Sequence, residues 1–364
     1  MKIIQCLPSI NRLSLLPLFF MAALLGCDAQ QDYSCQSVGE RTPICGFQAP
    51  EDIEVTPAGG KLILSQFGGI TGSSAGSLVL FDPEAEQVKP LYPAGEPLAV
   101  DGADRAPLWG SENCPGEPGQ AFSPHGIHLS QRDDGVWQLL AVNHGGRESV
   151  EFFEWRAEQE SLQWRGCVVM PEGGFINDTV ATPGGGLLAT QMFPKDNYWA
   201  LLRTLMGSKR GHVWRWRPGE GVDIQPGSVG SFPNGIQISK DGRHLFLNLY
   251  TENTVRKMDR LSGEHLGDVS VEHPDNSSWL PDGRLVVASH PPEGLIPDLC
   301  SDVHSGACGS RFLLVTINPD TLEKKQVLDH SGAPMGGGTV AVELGDYWYI
   351  GSFAGNRLLR VPSL

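Results

Sequence analysis

Short apolar runs separated by glycine-bearing turns recur along this chain. The turns are Pro57-Ala58-Gly59-Gly60, Arg132-Asp133-Asp134-Gly135, Pro183-Gly184-Gly185-Gly186, Lys240-Asp241-Gly242, Pro281-Asp282-Gly283 and Leu344-Gly345-Asp346. Apolar strands are predicted after them at 61–65, 187–190, 244–249, 285–289 and 347–351. Further strands with polar alternation follow at 77–81, 149–155, 212–217, 254–259, 312–317 and 357–361. Period-two alternation between Gly, Asn and Asp turns is the signature of half-buried strands. The motif recurs six times at uneven spacings of roughly 40 to 75 residues, the range of propeller blades. A two-sheet sandwich is the other all-β solution, but it gives no reason for a sixfold echo. The predicted fold class is therefore all-β, a six-bladed β-propeller over residues 49–364. Three strands per copy are plain and the fourth is blurred. Residues between Cys35 and Pro50 are available to complete the last blade.

One segment departs from this pattern. Residues 197–206 carry no Gly or Pro until Gly207, which predicts a short helix. It is either a connector packed on the sheets or a helix over the channel mouth that shapes a pocket. The long loops 92–120 and 291–310 are placed to flank the same mouth.

The stretch 123–144 brings candidate chemistry. Ser123-Pro124-His125-Gly126-Ile127 opens a strand, Asp133-Asp134-Gly135 turns it, and the run 136–142 returns to Asn143-His144. A tight hairpin returns the chain to its starting edge, so His125 and His144 can lie side by side. Such a pair is a base and its helper, two metal ligands, or two polar caps.

Composition narrows the function. The chain has 364 residues, with 45 Gly and 27 Pro. Its 27 Lys and Arg are outnumbered by 42 Asp and Glu, which argues against nucleic acid as a partner. At the N-terminus Lys2 and Arg12 precede an apolar stretch, 15–25, of signal-peptide length. It ends Leu24-Leu25-Gly26-Cys27, similar to a bacterial lipobox. The expectation is a signal peptide over 1–26 and a lipidated Cys27 with a tether over 27–48. Acyl chains on Cys27 would fix the domain to a membrane of the cell envelope without a spanning helix. Past Cys27 six cysteines remain, an even number that favours disulfides in an exported chain. Cys35/Cys45 and Cys300/Cys308 are close enough to be local staples, which leaves Cys114/Cys167. No CxxC spacing occurs, against a thiolate zinc site.

The innermost strand of each copy begins Glu51-Asp52, His125-Gly126, Asn177-Asp178, Asn234-Gly235, Asp275-Asn276 or Gly337-Gly338. In a propeller these starts converge at one end of the channel. Glu51, Asn177, Asn234, Asp275 and Asn276 can all turn an oxygen toward one cation. Mixed acid and amide oxygens suit a hard ion such as Ca²⁺, and without a cation the buried carboxylates would repel. The plain alternative is that Asn, Asp and Gly mark turns wherever strands begin.

The ordered set Glu51-Asp52-Ile53-Glu54, Ser123-Pro124-His125-Gly126-Ile127, Val142-Asn143-His144, Glu148-Ser149-Val150-Glu151-Phe152-Phe153, Ile176-Asn177-Asp178, Asn234-Gly235-Ile236, Asp275-Asn276, Ser289-His290-Pro291 and Gly338-Thr339-Val340-Ala341 resembles the paraoxonase family of six-bladed, calcium-dependent lactonases. More distantly the chain resembles the regucalcin/gluconolactonase and strictosidine-synthase-like propellers. The resemblance implies two calcium ions. Glu51, Asn177, Asn234, Asp275 and Asn276 match the ligands of the catalytic one. Asp52, Asp178 and the carbonyl of Ile127 match a second, structural ion deeper in the channel. His125 and His144 match the family's histidine dyad, and His290 a further histidine of the substrate pocket. Two departures stand out. No Cys follows Cys308, so the family's disulfide between the N-terminal strand and the C-terminal blade is absent. The family's usual Asn-Asp is missing around Thr190-Gln191-Met192-Phe193.

The expected activity is calcium-dependent hydrolysis of a small-molecule lactone or aryl ester, with His125 as general base on water and His144 orienting it. Asp275 is an alternative base or nucleophile. Gly72-Ser73-Ser74-Ala75-Gly76 matches Gly-x-Ser-x-Gly, but it leads into the strand at 77–81 and not into a helix, against the nucleophile elbow of a serine hydrolase. The rival from another class is a non-catalytic, lipid-anchored propeller that binds envelope proteins. Oxygen ligation disfavours Zn²⁺ but does not separate Ca²⁺ from Mn²⁺.

Overall fold

The computed structural model describes residues 33–68, 74–93, 108–195, 197–292, 300 and 305–363. The predicted signal segment, Cys27, the first part of its tether and parts of the loops 92–120 and 291–310 lie outside the described residues.

Six antiparallel sheets, each led by an inner strand, form the molecule. Blade I is Pro50–Val55, Leu62–Gln66, Ser77–Asp82 and Gln87–Tyr92. Blade II is Pro124–Gln131, Trp137–Asn143, Ser149–Arg156 and Ser161–Val169, with the short strand Trp109–Gly110 added in parallel at its outer edge. Blade III is Ile176–Thr182, Gly186–Gln191, His212–Arg217 and Gly221–Ile224. Blade IV is Pro233–Ile238, His244–Leu249, Thr254–Asp259 and His265–Ser270. Blade V is Pro274–Trp279, Leu285–Ser289, Phe312–Ile317 and Lys324–His330. Blade VI is Gly338–Leu344, Tyr347–Ser352, Arg357–Pro362 and, outermost, Thr42–Cys45. The inner strands touch in cyclic order, and blade VI returns to blade I.

Period-two alternation gives each middle strand an apolar residue for both of its neighbours. Leu139 and Ala141 face blade I and pack with Ile63, Leu78 and Leu80, whereas Leu140 and Val142 face blade III and pack with Ile176, Leu187 and Ala189. Four comparable layers fill the remaining interfaces. Each fully buried Leu, Ile or Phe contributes about 1.5–3 kcal/mol, so the layers between blades supply the cohesion and free the channel for polar groups. The fourth strands were blurred in the sequence because they face solvent. His265–Ser270 buries only Val269, and Lys324–His330 only His330.

Backbone pairing of Thr42–Cys45 with Arg357–Pro362 closes the ring. Arg357 Nη1 donates to the carbonyls of Tyr33 and Ser34, at 2.8 and 3.2 Å, and latches the segment before that strand. The disulfides are Cys35–Cys45, Cys114–Cys167 and Cys300–Cys308, the pairs expected from spacing. Three such bonds point to an oxidising compartment outside the cytosol. No helix among the described residues is long and apolar enough to cross a membrane.

The one α-helix among the described residues, Tyr198–Leu205, lies between the second and third strands of blade III. Asn197 caps it, accepting from Ala200 N at 2.9 Å. Second strands end where inner strands begin, so the helix belongs to the mouth end of the channel. Leu201 packs there on a cluster of Phe175, Met192, Phe193 and Phe232. The helix is thus both the connector and a part of the rim.

Candidate metal centre and active site

A β-bulge interrupts every inner strand; five of the six fall at the positions singled out in the sequence, and the sixth falls at Thr339, just after Gly338. Register slips between Pro50 and Asp52, Pro124 and Ile127, Ile176 and Thr179, Pro233 and Ile236, Pro274 and Ser277, and Gly338 and Val340. A bulge breaks the alternation of faces, so consecutive side chains such as Asp275 and Asn276 can both serve the channel. Pro opens four of the six inner strands, where its missing N–H costs no ladder bond. Gly126 is required where blades II and III meet: a Cβ there would lie 2.5 Å from Asp178 Oδ1 and 2.7 Å from Asp178 Cα.

The bulges bring Glu51, Asn177, Asn234, Asp275 and Asn276 together, all buried. Asn276 Nδ2 donates to Glu51 Oε1 at 2.7 Å across the ring. Glu51 Oε2 and the side-chain oxygens of Asn177, Asn234 and Asn276 have no hydrogen-bond partner. An orphaned buried oxygen is costly, and four on four inner strands form a cradle for an electropositive group. Burial pushes the Glu51 carboxyl up to about 8, against the hydrogen bond from Asn276. Burial and then the charge of Glu51 raise Asp275 well above the carboxylate range. Both effects favour a cation between them. The donor set fits a hard ion: two carboxylates and three amides, all oxygen. Among the described residues no three His, Cys, Asp or Glu gather as a metal group, so the amides are indispensable to this reading.

One level deeper, Asp52 accepts from Ile53 N at 2.8 Å and from Ile127 N at 2.7 Å. Asp178 repeats the arrangement with Thr179 N at 2.7 Å and Ile236 N at 2.8 Å. Each carboxylate thus stitches its blade to the next. Burial first, and a neighbouring carboxylate second, raise both pKa values.

The histidines flank the upper cradle. His125 Nδ1 lies 2.9 Å from His144 Nε2. His125 Nε2 faces Asn177 Nδ2 at 3.5 Å and Glu51 Oε1 at 3.6 Å. Phe67 stacks on the His125 ring, with centroids 4.4 Å apart. Burial lowers His125 to about 4, which keeps it neutral near pH 7. Across the channel, His290 Nδ1 lies 3.5 Å from Asp275 Oδ2, and its Nε2 is 2.8 Å from the Gly338 carbonyl, to which it donates.

A family profile described as Arylesterase matches residues 48–358. The chain belongs to the arylesterase family. It is 29% identical to human serum paraoxonase/arylesterase 1 over 132 residues, 35% of this chain and 36% of that protein. It is 27% identical to rabbit (Oryctolagus cuniculus) serum paraoxonase/lactonase 3 over 179 residues, 47% of this chain and 50% of that protein. These alignments thus span about a third to a half of the curated relatives. Among solved structures, a putative gluconolactonase shares the fold with a TM-score of 0.52 at 14% identity, covering 89% of this chain and 91% of that one. A gluconolactonase from Xanthomonas campestris gives 0.52 at 14% identity, covering 88% and 89%.

Sequence reasoning missed several residues of this arylesterase-family site. Asn248, buried in the second strand of blade IV, donates through Nδ2 to the Asp275 carbonyl, and its Oδ1 is orphaned. An Asn inside the apolar run His244–Leu249 was its only signal. Tyr250 places its hydroxyl 3.4 Å from His290 Nδ1. The third is Glu148, whose Oε1 lies 2.9 Å from His144 Nδ1 and whose Oε2 lies 2.8 Å from Lys195 Nζ. Glu148 stood in the quoted family motif, but nothing in sequence placed Lys195 beside it. The segment 190–193 brings no acid to the site: Thr190 Oγ1 accepts from Asp178 N, and Met192 Sδ lies 3.6 Å from Asn177 Nδ2.

Proposed function

We propose that this protein is a calcium-dependent hydrolase of lactones or aryl esters. One observation carries the reading: four orphaned oxygens come from four blades, and two of the side chains that bear them, Glu51 and Asn177, also meet Nε2 of the buried, neutral His125 through Glu51 Oε1 and Asn177 Nδ2. Glu51, Asn177, Asn234, Asp275 and Asn276 would hold the catalytic ion. Bound there, it would polarise the ester carbonyl and favour the charge that develops on its oxygen. The remaining work falls to the chain. His125 Nε2 takes a proton from water, and His144 shares it through the 2.9 Å contact. Phe67 holds the plane of the base. His290 and Tyr250 border the far side and orient the substrate. Asp52, Asp178 and the Ile127 carbonyl would hold a second ion, whose charge would offset the repulsion of those two buried carboxylates.

The test is metal analysis of the purified chain, then hydrolysis of phenyl acetate and δ-valerolactone before and after EGTA treatment. Two calcium ions per chain and activity restored by calcium are expected. Activity indifferent to chelation would overturn the mechanism.

The three disulfides support a location of the domain outside the cytosol. Cys27 would carry its lipid anchor, and incorporation of labelled palmitate that is lost in Cys27→Ser checks this.

A further inference from the structure

Behind the histidine pair lies a carboxylate that the mechanism above does not use. Glu148 ends the short loop that follows the second strand of blade II. Its Oε1 meets His144 Nδ1 at 2.9 Å and also accepts from Ile176 N at 2.8 Å. Its Oε2 meets Lys195 Nζ at 2.8 Å. Lys195 comes from blade III, on the stretch leading to the rim helix, and its ammonium sits 5.5 Å over the Phe175 ring. His144 is fully buried, and the Glu148 side chain is 9% exposed. A largely buried carboxylate with one N–H, one ammonium and one imidazole around it is locked in position.

The tautomers follow from this geometry. A carboxylate accepts only, so the proton between Glu148 and His144 belongs to His144 Nδ1. His144 Nε2 must then accept, and the proton between the rings belongs to His125 Nδ1. His125 Nε2 is left unprotonated, its lone pair accepting weakly from Asn177 Nδ2 at 3.5 Å and lying 3.6 Å from Glu51 Oε1. Without Glu148 the opposite ordering, with His125 Nε2 protonated toward Glu51 Oε1 and no longer a base, becomes available.

We propose that Glu148, held by Lys195, is a positioning residue: it fixes His144 as the Nδ1–H tautomer and so presents His125 Nε2 as the bare base. This rests on the hydrolase reading and adds two residues, from two blades, that act only through His144. The electrostatics agree. Burial alone would push Glu148 up, and the hydrogen bonds from His144 and Lys195 outweigh it, leaving the carboxyl below its ordinary range. Burial lowers His144 against the pull of Glu148, so the ring stays neutral and the tautomer is what matters.

The experiment uses the full chain with saturating calcium. Hydrolysis of phenyl acetate and δ-valerolactone is followed in wild type, Glu148→Gln, Lys195→Met, His144→Gln, His125→Gln and the double variant His144→Gln/Glu148→Gln. Glu148→Gln is expected to lower kcat roughly 10- to 100-fold, the range for lost outer hydrogen bonds, with KM within about twofold. Lys195→Met should lower kcat in the same direction by less. The double variant should be no slower than His144→Gln, because a residue acting through His144 has nothing left to act on. In parallel, nitrogen chemical shifts of ¹⁵N-histidine-labelled protein should show His144 with a protonated Nδ1 and a bare Nε2, and loss of that single tautomer in Glu148→Gln.

Two results would overturn the proposal: multiplicative losses in the double variant, or a wild-type His144 protonated on Nε2. So would full kcat in Glu148→Gln while His125→Gln and His144→Gln are slow. If His125→Gln itself turns over normally, the base assignment fails, and the tautomer signal then decides the hold of Glu148 on His144 separately.

Discussion

His125 and Glu51 meet at 3.6 Å, and their contributions separate by experiment. His125→Gln removes the proton acceptor and leaves the oxygen cradle, so kcat should fall about 100-fold or more while calcium still raises the melting temperature. Glu51→Gln should do the reverse to the metal: the calcium-induced rise in melting temperature should disappear, read by thermal shift with calcium against EGTA. Much of this was legible residue by residue. Glu51, Asn177, Asn234, Asp275 and Asn276 open inner strands, and a repeat places equivalent starts together. Asn248, Tyr250 and the Glu148–Lys195 pair were not legible. Their roles depend on which side chain from another strand or blade arrives beside them, and no local pattern encodes that.

At the scale of elements, the bulges decide what the channel contains. Regular strands would send Asn177 and Asp178 to opposite faces. The bulge lets Asn177 join the upper cradle while Asp178 reaches Ile236 N in the next blade. Gly126→Ala should therefore be destabilising by roughly 1–3 kcal/mol, the usual range for overpacking, because its Cβ would meet Asp178 backbone at 2.7 Å. Urea denaturation measures it, and a neutral result would mean that the bulge relaxes freely. The sequence announced these bulges only through the prolines that precede four of them. The helix was readable because its ten-residue stretch holds no breaker and Asn197 caps it. The outer strands were not, because solvent reaches both faces of strands such as His265–Ser270 and Lys324–His330 and leaves too few apolar positions to alternate.

The whole molecule couples channel charge to stability. Glu51 has its pKa raised from 4.5 to about 8 without metal, by burial. A raised folded pKa gives stability that is complete below the unfolded value and is lost as pH rises through the folded one. The metal-free protein should therefore melt at progressively lower temperature from about pH 5 to about pH 8. Calcium needs the ionised carboxylate, so its stabilising increment should grow over the same interval. Scanning calorimetry at both pH values, with EGTA and with calcium, tests the sign. An increment larger at the acid end would contradict the placement of the ion at Glu51.

Ring closure also has a consequence for biosynthesis. The strand Thr42–Cys45 leaves the ribosome long before Arg357–Pro362, its only sheet partner among the described residues. Until then blade VI has no outer half, and the first blade has no finished neighbour to seal against. Nascent chains interrupted before Arg357 would carry an open seam, and the two ends of the Glu51–Asn276 bond would lack the enclosure that holds them in register. Closure of the ring thus waits on a single event, the mating of its earliest described strand with its last described one.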